Sequence, residues 1–516
     1  MDRYRQLQRL FSEQTQGSDL EAGEISKVIE FARDAMGTGR ADLAIPLLEP
    51  LTAHAGRMSQ GWQLLGFAYR DEQRMAESAR AFARAAELDP HDALTALGHA
   101  QTCFESGLPA LPLVRRALAL APDDPGALRG CAAALAAEGE AAAADTLLAG
   151  ALVRRPDWIE GHKSLAALRW LAGDTRDFAR SFAVACRVQP QNLALRLAWF
   201  RAVAQARDWQ AVLAIIEEGE SVFGNTPAFA VARTFVASES GDRTRAEQLF
   251  AQTATLRDDV RDLAYIRHCL RTGQLEQAES TALRLIETPS AAITWPYLSL
   301  IWRLRGDARA PWLDGAPPYI RVFDLGFSEG ELHQLATLLR ALHVARAPYL
   351  EQSVRGGTQT DRPLFFRHEP IIQTTRTKIV AAIREYIDAL PGFEQGHPLL
   401  GTARGSIRFE GSWSVRLKGE GFHVSHTHPM GWISSAFYVS LPGPVQMGAA
   451  PSGWINFGTP PPELGLELPP YTQIEPKPGR LVLFPSTMWH STMPFADGER
   501  LVIAFDVRMP RFESML

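Results

Sequence analysis

The chain has 516 residues, 46% of them hydrophobic and 22% charged, with a formal net charge of −5. These values fit a globular protein, and the mild acidity offers no basic surface for nucleic acid. At ~150 residues per domain the length implies roughly three units, unless a repeat array takes up part of it. Cys103, Cys131, Cys186 and Cys269 lie far apart with no C-x-x-C pair, which argues against a disulfide framework or a zinc knuckle. The opening MDRYRQLQRLFSEQ is charged, and no stretch approaches the ~18 apolar residues of a membrane span. The expected setting is cytoplasmic and reducing, with no membrane and no nucleic-acid partner.

From about residue 22 to about 306 the sequence repeats. Prolines close acidic or polar stretches at Pro90, Pro122, Pro156 and Pro190, in steps of 32, 34 and 34 residues. A period near 34 marks stacked helix–turn–helix units. One unit carries Trp62, Leu65, Gly66 and Tyr69 in a first helix, then Phe82, Ala85 and Pro90 in a second. It resembles the tetratricopeptide (TPR) repeat along its whole length, with Ser78 in place of the usual small alanine. Small Gly66 and Ala85 let helices approach, Tyr69 and Phe82 fill the space between them, and the proline ends the second helix. Seven to eight helix pairs are expected, forming a solenoid whose inner face holds a protein or peptide; a plain scaffold is the alternative.

After Arg305 a Pro- and Gly-rich stretch breaks the helical pattern, and a linker is expected at 307–318. Residues 328–345 read as an amphipathic helix capped by Ser328 with Glu331 three positions on. A second helix is expected over 369–390. Beyond Pro391, short runs rich in Val, Ile, Phe, Tyr and Trp alternate with polar residues between Gly and Pro, which predicts six to nine short strands in a sandwich or jelly roll. The Pro-rich loop 458–479 is a candidate lid over its mouth, and Trp413, Trp432 and Trp454 are candidates for either a pocket or the core.

HVSHTHPMGW, residues 423–432, holds three of the 13 histidines. His426 and His428 are two apart, so on a strand both imidazoles face one side and can reach one metal ion. His423 has the opposite parity and is expected to point away. His490 follows the apolar run LVLFP, and Arg500 opens the strand RLVIAFDV ten residues later. Each alone reads as an ordinary core or surface residue; the combination points to a site.

The set resembles the jelly-roll Fe(II)/2-oxoglutarate-dependent oxygenases, and most closely a bacterial subgroup with an H-x-H-P motif. The resemblance covers residues 404–508. It is carried by Trp413, Gly419, His426, His428, Pro429, Ser434 and Tyr438, then by Pro476 and Gly479, and then by Phe484, Pro485, Ser486, His490, Pro494, Arg500 and Phe505. SVRGGTQTDRPLF, residues 353–365, looks like the lead-in of TPR-fused members. The resemblance implies Fe(II) held by His426, His428 and His490, with 2-oxoglutarate and O2 as co-substrates. Arg500 would grip the far carboxylate of 2-oxoglutarate with its planar fork.

Three departures stand out. His428 replaces the carboxylate of the wider superfamily, which makes the metal set three neutral imidazoles, or two if His428 does not ligate. Ser435 and Ala436 stand where the subgroup has Gly and Val. Val502 stands where a serine would help bind the carboxylate, a role Tyr438 is the candidate to fill.

The expected architecture is therefore an α+β multidomain chain: an all-α TPR solenoid over 1–306, a linker at 307–318, and a double-stranded β-helix (jelly-roll) domain with flanking helices over 319–516, its core at 404–508. The expected activity is hydroxylation of a protein or peptide side chain held by the repeats. A small-molecule oxygenase with a docking module, a non-catalytic interaction protein, and a zinc or structural site are the alternatives.

Overall fold

A computed structural model describes residues 4–8, 22–315, 319–345 and 352–510. Residues 316–318 of the expected linker, 346–351 and 511–516 of the expected C-terminal domain, and 1–3 and 9–21 of the expected solenoid lie outside them. The chain forms two compact units. Among the described residues, one comprises those up to Ala151 together with Arg362–Thr374; the other comprises Leu152–Asp361 and those from Thr375 to residue 510.

Eight helix pairs and a final helix are described between residues 22 and 305. They begin with Ala22–Gly37 and Ala41–His54 and end with Asp259–Thr272, Leu275–Leu285 and the lone Ala291–Arg305. The repeated proline has a partner two residues on. After Pro90, Asp92 accepts hydrogen bonds from the Leu94 and Thr95 amides; after Pro122, Asp124 accepts from Ala127; after Pro190, Asn192 accepts from Leu195. The proline stops one helix and the acceptor caps the next, which fixes the pair length. At Pro156 the cap position falls to Trp158, which makes no such bond.

In the first unit the Phe82 ring is fully buried and fills a hole left by two glycines. A Cβ at Gly66 would come within 2.9 Å of the ring, and one at Gly98 within 2.7 Å. Ser78 fits without cost: its hydroxyl donates to the Gly66 carbonyl at 2.8 Å. Phe82→Ala should destabilise this unit by about 3–5 kcal/mol through the cavity it leaves, and Gly98→Ala by about 1–3 kcal/mol through overpacking. Urea unfolding followed by far-UV circular dichroism reads both; wild-type midpoints would mean that the ring is not the keystone of these three helices. The segment Arg362–Thr374 also belongs to this unit. The Arg362 guanidinium lies over the Phe104 ring at 4.5 Å and donates to the Phe104 carbonyl, and the His368 amide donates to the Ser106 carbonyl.

In the second unit nine strands are described: β1 Arg321–Asp324, β2 Val354–Gln359, β3 Phe409–His423, β4 Gly431–Ser440, β5 Ile455–Phe457, β6 Thr472–Ile474, β7 Arg480–Pro485, β8 His490–Thr492 and β9 Glu499–Arg508. They pair antiparallel in a six-stranded sheet, ordered β1-β7-β4-β9-β3-β2, and a three-stranded sheet, ordered β6-β5-β8. The central strands β4, β7 and β9 are buried almost throughout, and their Val, Leu, Ile and Phe side chains form the core. Helix Glu329–Leu342 starts with the expected capping box, Ser328 and Glu331 each accepting from the other's backbone. Helix Pro370–Asp388 contributes Tyr386, whose buried hydroxyl donates to the Tyr319 carbonyl at 2.7 Å.

The loop 458–479 does not act as the expected lid. Leu464, Leu466 and Leu468 share a core with Tyr297, Leu298, Ile301 and Trp302 of the last repeat helix, and Arg303 donates to the Pro469 carbonyl at 2.7 Å. The loop's apolar residues are satisfied there rather than over a pocket. Trp489 joins the same core and donates to the Pro296 carbonyl at 2.8 Å, which anchors the chain one residue before His490.

Among the described residues no helix is long and apolar enough to cross a membrane. The four cysteines are buried and form no disulfide.

Candidate metal and co-substrate site

His426 and His490 are brought together by backbone pairing. Each amide donates to the other's carbonyl, at 3.0 and 3.1 Å, and the ring centroids lie 4.2 Å apart. His428, two residues on, keeps the face of His426, and its amide is tied to the Ser486 carbonyl at 2.9 Å. Its ring lies 5.0 Å from that of His426 and 5.1 Å from that of His490. One nitrogen from each of the three falls within 4.8 Å of the others.

The second ring nitrogen decides the tautomer. Nδ1 of His426 faces the Val424 carbonyl at 2.8 Å, Nδ1 of His490 faces the Met488 carbonyl at 3.0 Å, and Nδ1 of His428 faces the Asp506 carboxylate at 2.7 Å. All three partners only accept, so Nδ1 carries the hydrogen and the Nε2 lone pairs are left for the centre. His428 Nε2 is buried with no hydrogen-bond partner among the described residues. The Ser353 hydroxyl lies 3.1 Å from His426 Nε2 and 2.9 Å from His423 Nδ1, so its single hydrogen can go to His423 and leave the His426 lone pair free. Burial, reinforced by the neighbouring imidazoles, holds His426 and His490 well below the usual histidine range. Burial pulls His428 the same way, but the Asp506 carboxylate outweighs it and raises this ring. Pre-oriented imidazoles with Nε2 atoms turned to one centre are the donor set that a transition-metal ion takes.

His423 departs from expectation. β3 ends at this residue, so strand parity no longer governs it, and its ring lines the same cavity as the other three. It stacks beside His426 at 5.7 Å, and its Nδ1 lies 2.9 Å from the Ser353 hydroxyl. Burial, with Arg500 nearby, pushes its pKa down to about 3. It stays outside the three-histidine cluster.

The cavity is about 310 Å3 and opens between the two sheets. Arg500, Val502, Ala504 and Asp506 line it at every second position of β9, and Trp413 and Val415 do so from β3. Ile455 and Thr492 close it from the smaller sheet. Arg500 is 2% exposed; its Nη1 donates to the Gly453 carbonyl at 2.8 Å, while its Nε has no partner and no carboxylate pairs with it among the described residues. The guanidinium lies 5.1 Å over the ring of Tyr438, whose buried hydroxyl has no group beside it but this guanidinium to engage among the described residues. A buried, unpaired cation costs several kcal/mol, so its place on a cavity wall implies an anionic ligand. A dicarboxylate fits these residues on that ground. Val502 adds only an apolar wall, and the Ser435 hydroxyl is used up bridging to the Phe505 backbone.

Of the three tryptophans, Trp413 lines the cavity and lies parallel to His428 at 5.7 Å. Trp432 is a core residue whose indole donates to the Leu399 carbonyl, and Trp454 is not in the cavity wall. Asp506 is the site residue that sequence reasoning misses. Its signal is the alternation from Arg500, which puts residue 506 on the same face.

Three of the solved structures that resemble part of the chain are described as TPR proteins. One, from Parabacteroides merdae ATCC 43184, is 16% identical, with 46% of this chain and 96% of that chain covered and a TM-score of 0.31. Another, from Thermus thermophilus, is 16% identical over 35% of this chain and 99% of that one, with a TM-score of 0.28. A third, YrrB, described as a TPR protein with an unusual peptide-binding site, is 15% identical over 37% and 96%, with a TM-score of 0.29. No curated protein matches the chain. The stretch that carries all three clustered histidines, Tyr438, Arg500 and Asp506, residues 411–506, matches the family described as "Putative 2OG-Fe(II) oxygenase".

Proposed function

We propose that the chain is a 2-oxoglutarate-dependent Fe(II) dioxygenase that hydroxylates a side chain of a protein or peptide held by its helical repeats. The observation that carries the reading is the meeting, on one cavity, of three Nε2 atoms poised for a metal and one buried guanidinium without an acid. His426, His428 and His490 would hold Fe(II), and Arg500 would take the far carboxylate of 2-oxoglutarate with Tyr438 beneath it. When bound, iron, 2-oxoglutarate and O2 together supply the oxidising chemistry, 2-oxoglutarate leaving as succinate and CO2. The residues of this chain fix the orientation of both groups, and the apolar walls Val415, Val502 and Ala504 keep the cavity dry.

In this reading the division of labour runs along the chain, with repeats to residue 306 and the oxygenase part from 319. A peptide substrate is favoured over a small molecule because no residue of the 458–479 loop lines the cavity, leaving the mouth, with exposed Met430 on its rim, open to a chain.

The test is anaerobic addition of Fe(II) and then 2-oxoglutarate, followed by visible absorption for the charge-transfer band of the chelate. On admitting O2, succinate is then measured with and without peptide libraries. A band with succinate formation stimulated by peptides supports the whole reading. A band stimulated only by small molecules moves the substrate class. No band, with tight Zn(II) binding instead, would replace the oxygenase with a structural metal site.

A further inference from the structure

We infer that Asp506 is a positioning residue for the metal site, acting through His428 and returning to the site the negative charge that a ligating carboxylate would have supplied. The inference rests on the reading of the three histidines as a metal site. The three rings are held unequally. His426 and His490 are backed by neutral backbone carbonyls, whereas His428 is backed by a carboxylate.

Asp506 is 7% exposed, and both its oxygens are engaged. Oδ2 accepts from His428 Nδ1 at 2.7 Å, and Oδ1 accepts from the Ser434 hydroxyl at 2.6 Å. No arginine or lysine pairs with it among the described residues. A buried carboxylate with only a hydroxyl and an imidazole around it is poorly compensated, and a cation on the far nitrogen of that imidazole completes it.

The surroundings leave His428 little freedom to use this partner in any other geometry. The plane of Trp413 lies within 7° of the imidazole plane, and the His428 amide is fixed to Ser486. At Gly431 an added Cβ would fall 2.5 Å from the Ser486 hydroxyl and 3.0 Å from Asp506 Cβ, so the backbone approaches this closely only as glycine. The arrangement moves the negative charge one residue outward from the metal: a histidine takes the position of the ligating carboxylate, and a carboxylate stands behind that histidine.

The experiment compares wild type, Asp506→Asn and Asp506→Ala in the full chain, using anaerobic Co(II) titration followed by its visible bands, with thermal unfolding alongside. Asparagine can still accept from Nδ1 but carries no charge. Asp506→Asn should fold like wild type, bind Co(II) about 10–100-fold more weakly and shift the Co(II) spectrum; Asp506→Ala should lose more. A merely structural role would lower the unfolding temperature and leave the affinity and spectrum of Asp506→Asn untouched, which would overturn the inference. If wild type itself takes up no Co(II), the metal-site reading falls and the inference with it.

Discussion

His490→Ala should remove the metal site while leaving the fold intact. In the proposed site His490 would be the distal donor, and its ring is placed by a backbone bridge to His426 that the substitution does not touch. The alanine therefore deletes one Nε2 lone pair and little of the scaffold. The expected result is a loss of Fe(II) or Co(II) affinity well above the ~10–100-fold typical of an outer partner, with no charge-transfer band and no succinate formation. His426→Ala should behave alike. His428→Ala separates three donors from two. Its Nε2 is already buried without a partner, so as a ligand its loss should match that of His490. If the band survives in His428→Ala, iron is held by two imidazoles and His428 is an outer residue. Retention of the band in His490→Ala would dismiss the site altogether.

What the sequence made legible follows from what is local. Helix pairs could be read because each unit carries its own stop and start, a proline and then an acceptor two residues later, as at Pro90 and Asp92. The capping box at Ser328 and Glu331 is equally local. His426 and His428 could be placed on one face because a period of two survives even in an extended segment outside a regular strand. The same rule fails for His423, because β3 stops at this residue, paired with Val354 of β2, and the alternation does not run on to the isolated bridge at His426. Tertiary facts were out of reach. The leucines of the 458–479 loop pattern like any apolar loop until the last repeat helix is beside them. Leu364 and Phe365 fall in the stretch 353–365 that looks like the lead-in of TPR-fused oxygenases, and nothing in it shows that they lie in the segment belonging to the first helical unit. Asp506 was within reach but hidden by its type: an acid at the end of an apolar strand resembles a surface residue until a histidine is placed against it.

Arg500→Met should raise the 2-oxoglutarate requirement without weakening the empty protein, and that combination sets a ligand-binding arginine apart from a structural one. The guanidinium is 2% exposed, donates to one backbone carbonyl through Nη1, and among the described residues its Nε has no partner. Replacing poorly compensated buried charge by an apolar side chain of similar length is typically neutral or stabilising, by up to about 1–4 kcal/mol. The unfolding temperature without ligand should therefore hold or rise. The liganded state behaves in the opposite sense. A carboxylate brought against a thioether loses its charge-assisted partner, and breaking such a buried pair costs about 3–5 kcal/mol, on the order of 10²–10⁴-fold in affinity. The KM for 2-oxoglutarate should rise accordingly, while Co(II) affinity, which depends on the histidines, should not move. Arg500→Lys should fall between the two, since an ammonium keeps the charge but not the planar fork that engages two oxygens. A drop in the unliganded unfolding temperature with an unchanged KM would make Arg500 a core ion held by Gly453 and the Tyr438 ring, and the cavity would then need another explanation for its buried cation. The opposite pair of results would mean that the protein keeps an unpaired charge in its interior because the co-substrate completes it.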